Sequence, residues 1–134
     1  MPGTMFPLEL SKTLDREEIF IKVHDLLLTG RWAIDWWEGD PEIESHWDGV
    51  PAYYLRPATK RMQGYWADAS YGGDCTFHAA TGCELSEVER PTDCKTLIPH
   101  ETNCHQPESW SKFSGIMAWY PFRSVLRAML QYEP

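Results

Sequence analysis

Apolar residues recur at helical spacing in three stretches of the chain and at alternate positions in two others. Between Asp15 and Gly30, the residues Ile19, Phe20, Val23, Leu26 and Leu27 fall on one helical face. Asp15 followed by Glu18 forms a capping box that starts this helix near Arg16, and Gly30 suits the left-handed position that ends it. His24 lies on the polar side, where solvent is its expected environment. The period then changes to two: Trp32, Ile34 and Trp36 alternate with Ala33, Asp35 and Trp37, which predicts a short strand. Residues 51–57, PAYYLRP, supply a partner strand, confined to a sheet edge by Pro51 and Pro57.

The remaining segments are less regular. Residues 1–13 read as an extended arm, because Pro2 and Pro7 break a helix. Residues 60–74 contain Gly64, Gly72 and Gly73 and read as an irregular loop anchored by aromatic rings. Residues 75–104 read as loop with short helical turns, one capped by Ser86 with Glu89 and one opened by Pro91, carrying Cys94 and Leu97. Pro107 opens a helix with Trp110, Phe113 and Met117 at helical spacing. Pro121 opens the last, with the stripe Phe122, Val125, Leu126, Met129 and Leu130. The expected fold is α+β: a loop-rich, metal-stapled single domain over residues 1–134, with a few helices and one short hairpin.

Composition explains why a staple is expected. A chain of 134 residues that is 43% hydrophobic can bury one modest core, but ten prolines and nine glycines spend much of it in loops. Small loop-rich chains often need disulfides or a metal to hold them. The net charge is −8, and residues 32–50 carry six carboxylates (Asp35, Glu38, Asp40, Glu42, Glu44, Asp48) without a Lys or Arg. Such a segment repels phosphates and anionic lipid, so neither nucleic acid nor membrane is an expected partner. The same half is rich in Trp and Tyr, which dominate binding hot spots, so a protein partner there competes with plain packing around the hairpin. No apolar run is long enough to span a bilayer, and the opening residues lack a basic stretch followed by an apolar one. The expected compartment is the cytoplasm, where thiols stay reduced.

All four cysteines fall in one segment, Cys75, Cys83, Cys94 and Cys104, spaced C-x7-C-x10-C-x9-C. Clustered thiols in a reducing compartment point to a metal, since soft sulfur ligands suit zinc and iron–sulfur clusters. Two disulfides, or four thiols packed as small hydrophobes, are the competing readings. Structural zinc sites usually come with C-x2–4-C knuckles, and this chain has none. Long uneven gaps suit loops closing on a larger object, which favours a 4Fe–4S cluster over zinc. His78 and His105 stand close to Cys75 and Cys104 and are alternative ligands. The run His100-Glu101-Thr102-Asn103-Cys104-His105 is one residue too long for a helical zinc-protease motif, and Pro99 leaves it little helix. The acidic stretch fails the calcium-loop pattern and reads as a solvated loop. No phosphate loop, dinucleotide fingerprint or nucleophile elbow is present.

The residues Cys75, Phe77, Gly82-Cys83, Arg90-Pro91, Cys94 and Lys95 stand in an order that resembles the YkgJ-type cysteine-cluster family. That family comprises zinc- or iron-chelating domains and includes flagellin lysine methylases. The resemblance implies a metal held by cysteines. Any methylase activity would rest on fold analogy alone. Members carry further cysteines upstream in a CxxC…CC arrangement, and none precedes Cys75 here. Cys104, an imidazole or an exogenous ligand would therefore complete the site. The stretch GRWAIDWWEGDP is also similar to small phage-encoded relatives of this group, which implies a phage protein and brings the virion into view as a location.

Overall fold

The computed structural model describes residues 4–37, 51–69, 74–79, 82–86, 89–91, 98–99, 104–105 and 113–134. Helices are α1 (Pro7–Leu10), α2 (Arg16–Leu28), α3 (Phe113–Trp119) and α4 (Arg123–Leu130). Strands are β1 (Trp32–Trp37), β2 (Ala52–Pro57), β3 (His78–Ala79), β4 (Gly82–Cys83), β5 (Ile98–Pro99) and β6 (Cys104–His105). They pair as β1–β2, β3–β4 and β5–β6, all antiparallel, so the fold is mixed α+β.

Helix α2 begins and ends as its sequence dictates. The Asp15 carboxylate accepts from the Glu18 amide at 2.8 Å, and Gly30, with φ of +78°, closes the C-terminal turn. The reciprocal half of the expected capping box is missing. The Asp15 amide bonds the Ser11 hydroxyl at 2.9 Å, and Glu18 reaches Lys22 instead. Ile19, Val23 and Leu27 are buried against α4, where Leu126 and Met129 are buried in turn. His24 is not simply solvated: it is half-buried, edge-on to the Trp66 ring at 5.7 Å.

The β1–β2 hairpin forms the centre of the core. Its register, Trp32 opposite Pro57 through Trp37 opposite Ala52, puts Trp32, Ile34, Trp36, Tyr53, Leu55 and Pro57 on one face. Ala33, Asp35, Tyr54 and Arg56 share the other. Both faces are covered: from Trp32 to Asp35 and from Tyr54 to Pro57 every residue is buried. Both edges are touched as well. Ile34 exchanges hydrogen bonds with Trp66 (2.6 Å) and Asp68 (3.0 Å), and the Met5 amide donates to Leu55 at 2.9 Å.

That last contact corrects the reading of residues 1–13 as an extended arm. Pro7 does not break a helix; it opens α1, because the first helical position has no intrahelical use for an N–H. The Glu9 carboxylate accepts from the Phe6 amide at 2.7 Å, and Met5 and Leu10 are buried. Helix α3 differs in a similar way. Ile116 and Trp119, not Met117, face inward, and Met117 is exposed. Pro107 and Trp110 lie outside the described residues. Pro121 sits in a 3₁₀ turn (Tyr120–Phe122) that joins α3 to α4, where its carbonyl accepts from Arg16 at 2.7 Å.

Gly115 lets α3 reach the N-terminal segment. A methyl group there would stand 2.7 Å from both Cβ and Cγ2 of Thr4, a buried β-branched side chain with little room to move. Alanine gains about 1 kcal/mol of helix propensity over glycine, whereas overpacking a filled interior costs about 1–3 kcal/mol. Gly115→Ala is therefore expected to lower stability by up to about 2 kcal/mol in urea denaturation. A raised midpoint would mean that Thr4 moves aside at little cost and leaves the helix gain uncancelled.

Candidate functional site

Beyond the hairpin, Thr59 and Cys75 pair as an antiparallel bridge. The Thr76 amide donates to Ala58 (2.9 Å) and the Lys60 amide to Asp74 (2.8 Å), so the chain carrying Cys75 is laced to the strand that leaves β2. Cys75 is 5% exposed and belongs to the hydrophobic core. A turn follows, in which the His78 amide donates to the Cys75 carbonyl at 3.0 Å. His78 then pairs with Cys83 across β3–β4. Cys83 is half-buried and packs on the core, and neither Cys75 nor Cys83 is in a disulfide. The segment expected to hold short helical turns thus uses short strand pairs for β3–β4 and β5–β6.

The strand leaving β2 is itself fixed from below by a buried ionic cluster. Arg56, fully buried, donates through Nε to Asp35 (3.1 Å) and through Nη1 to the Pro57 carbonyl (2.9 Å) and Asp68 (3.3 Å). Its Nη2 donates to the Asp68 carbonyl (2.7 Å) and lies 3.1 Å from the Asp35 carboxylate in an ion pair. Burial opposes the guanidinium charge, but the two carboxylates outweigh it and hold the Arg56 pKa above its ordinary value. Asp35 also accepts from the Tyr54 hydroxyl at 2.8 Å. Asp68 accepts from both the amide (3.0 Å) and the hydroxyl (3.1 Å) of Thr59, the residue that pairs with Cys75. Asp35 therefore does not belong to a solvated acidic loop. It is 3% exposed, and its charge is spent on Arg56.

The Gly-Cys…Arg-Pro stretch continues from this unit. The Ser86–Glu89 cap forms as expected: the Ser86 hydroxyl donates to the Glu89 carboxylate at 2.7 Å and its amide at 3.2 Å. Arg90 Nε donates to the Leu85 carbonyl at 3.1 Å, and Pro91 is buried. Arg90 thus ties the turn before Cys94 to the segment just after Cys83. Cys94 and the turn expected at Pro91 lie outside the described residues. The backbone of Cys104 stands on β6 opposite Pro99, with His105 opposite Ile98. Among the described residues, no group of three or more His, Cys, Asp or Glu could hold a metal ion.

The hydrogen bonds from Ser86, side chain first and backbone second, hold the exposed Glu89 carboxyl below its ordinary pKa. Folded Glu89 releases its proton more readily than unfolded Glu89. The turn's gain is therefore fully present above the ordinary carboxyl range and is lost as pH falls through the lowered value. In Ser86→Ala the Glu89 carboxyl should titrate at higher pH than in the wild type, as followed by carboxyl ¹³C NMR. Identical titrations would show that the cap does not hold in solution.

Arg31 is a further residue that periodicity does not reveal. It stands at the foot of β1, donates to the Thr76 carbonyl at 2.8 Å and pairs with Glu84. Its guanidinium lies 4.2 Å from the centre of the Phe77 ring, and that ring packs on Trp32 at 5.6 Å. No family model, curated protein or solved structure matches this chain. Among the described residues, no helix is long and apolar enough to cross a membrane.

Proposed function

We propose that this protein binds a metal through Cys75, Cys83, Cys94 and Cys104, and that the metal is an iron–sulfur cluster of the 4Fe–4S type. The observation that supports the reading is the backbone pairing that links Cys75 and Cys83. Cys75 and Cys83 stand at the two ends of one turn-and-hairpin unit, and Arg90 donates to the Leu85 carbonyl just after it. Among the described residues the donor chemistry fits, because Cys75, buried, and Cys83, half-buried, lie on an apolar core that suits a soft metal. When bound, the cluster would supply either one-electron chemistry or a cross-link for a segment with little regular structure. The protein's own part is to hold Cys75 on Thr59, and Thr59 on Asp68 and Arg56.

The order of residues also resembles that of the YkgJ-type cysteine-cluster domains, and the proposal extends to a phage-encoded member of that group. Anaerobic purification followed by iron, sulfide and zinc analysis tests the reading. Brown protein with equal iron and sulfide is the expected result. Colourless protein with one zinc would move the site to a structural role, and protein without either metal would end the reading. A second reading, a protein partner for the N-terminal half, has one observation in its favour: Ile21 and Leu28, seven residues apart on α2, are both exposed. Trp32 no longer supports that reading, since it lies in the core.

A further inference from the structure

Arg31 touches the residue that follows Cys75 and the residue that follows Cys83. Its Nη2 donates to the Thr76 carbonyl at 2.8 Å and pairs with the Glu84 carboxylate, while Nε approaches the Thr76 hydroxyl at 3.4 Å. The guanidinium lies over the Phe77 ring, 4.2 Å from its centre. Arg31 is itself fixed, because its carbonyl accepts from the Ala58 amide at 2.9 Å and its amide donates to the Thr29 hydroxyl at 3.2 Å. One fork at the foot of β1 therefore bridges the two cysteine-bearing arms, in addition to the β3–β4 pairing and the bond from the Glu84 amide to the Phe77 carbonyl at 2.7 Å.

We propose that Arg31 is the positioning residue of the thiolate site, setting the separation of the Cys75 and Cys83 arms before metal arrives. The inference rests on the metal reading above. The Arg31 and Glu84 side chains are 37% and 48% exposed, and exposed pairs of this kind add little to global stability. The role is consequently visible in the metal site and not in the melting curve. Arginine is needed because a planar fork can serve two acceptors in fixed directions, which an ammonium cannot.

The test uses the full chain, reduced and metal-free, titrated with cobalt(II) as the probe of thiolate ligation. Arg31→Ala is expected to weaken cobalt binding by about 10–100-fold, the usual effect of removing a group that orients a ligand, with altered thiolate-to-cobalt absorption. Arg31→Lys should recover only part of the affinity. Glu84→Ala, which frees one arm and leaves the buried contacts alone, should fall between wild type and Arg31→Ala, and it decides the matter if Arg31→Ala does not fold. Wild-type affinity and spectrum in Arg31→Ala, or in Glu84→Ala where that variant decides, overturn the positioning role and leave the metal reading standing. Wild-type protein that takes up no cobalt, zinc or iron overturns both.

Discussion

Arg56→Met is expected to destabilise the protein by about 3–5 kcal/mol, enough to unfold much of it, since domains are typically stable by only about 5–15 kcal/mol. The cause is what the substitution leaves behind. Asp35 and Asp68 are 3% and 1% exposed, and without the guanidinium two carboxylates face each other's charge away from water. The intact cluster need not be a large net stabiliser, because burying three charges costs about as much as their attraction returns. That distinction can be measured. A variant combining Arg56→Met with Asp35→Asn and Asp68→Asn removes all three charges and keeps amide oxygens for Thr59 and Tyr54. It should recover most of the loss in urea denaturation. If Arg56→Met alone cost less than about 1 kcal/mol, water would have to reach the carboxylates and the cluster could not be the sealed support described above.

Cys83→Ser and Cys94→Ser are expected to empty the metal site. Metal binding is often folding energy, with apparent values of about 10–16 kcal/mol for structural zinc in small peptides, and here the coupling should be local. The core is built from α2, α3, α4 and the β1–β2 hairpin, which need no metal to meet. Both variants should therefore lose metal and the amide protection of residues 75–91, while α2 and β1 keep theirs in hydrogen exchange. Elemental analysis with exchange mass spectrometry reads both. Full metal content with an unchanged melting temperature in either variant would remove that cysteine from the ligand set. For Cys104, Cys104→Ala should leave a labile cluster and His105→Ala an intact one. The reverse would make the fourth ligand an imidazole.

Local chemistry was legible wherever the determining residues are close in sequence. Asp15 as a cap, Gly30 as a terminator, the Trp32–Trp37 alternation and the Leu126–Met129 stripe each reach their partners within a few residues, and each appears where expected. What stayed hidden depends on contacts across the chain. Asp35 looked like one more charge in an acidic run because Arg56 and Asp68 lie 21 and 12 positions from their partners in the cluster. One signal was available: Asp35 and Arg56 occupy the same face of the two strands, once their register is known. Arg31 gave no such sign, for its acceptors lie 45 and 53 residues away. Pro7 was misread because a rule about helix interiors was applied to a first turn. The cysteine spacing suggested a shared site but could not specify the β3–β4 register that puts Cys83 opposite His78.

The Met5 carbonyl, held by the Trp119 indole N–H across 114 residues, sets an order of events during synthesis. Met5 can settle on Leu55 once the hairpin has left the ribosome, but its far side stays open until α3 follows. Contacts of such long sequence separation form late, since the entropy of closing the intervening loop is lost first. Cys75, Cys83, Cys94 and Cys104 all emerge before Trp119. A nascent chain therefore exposes all four cysteine side chains while its interior is still unsealed, before α3 closes over Met5.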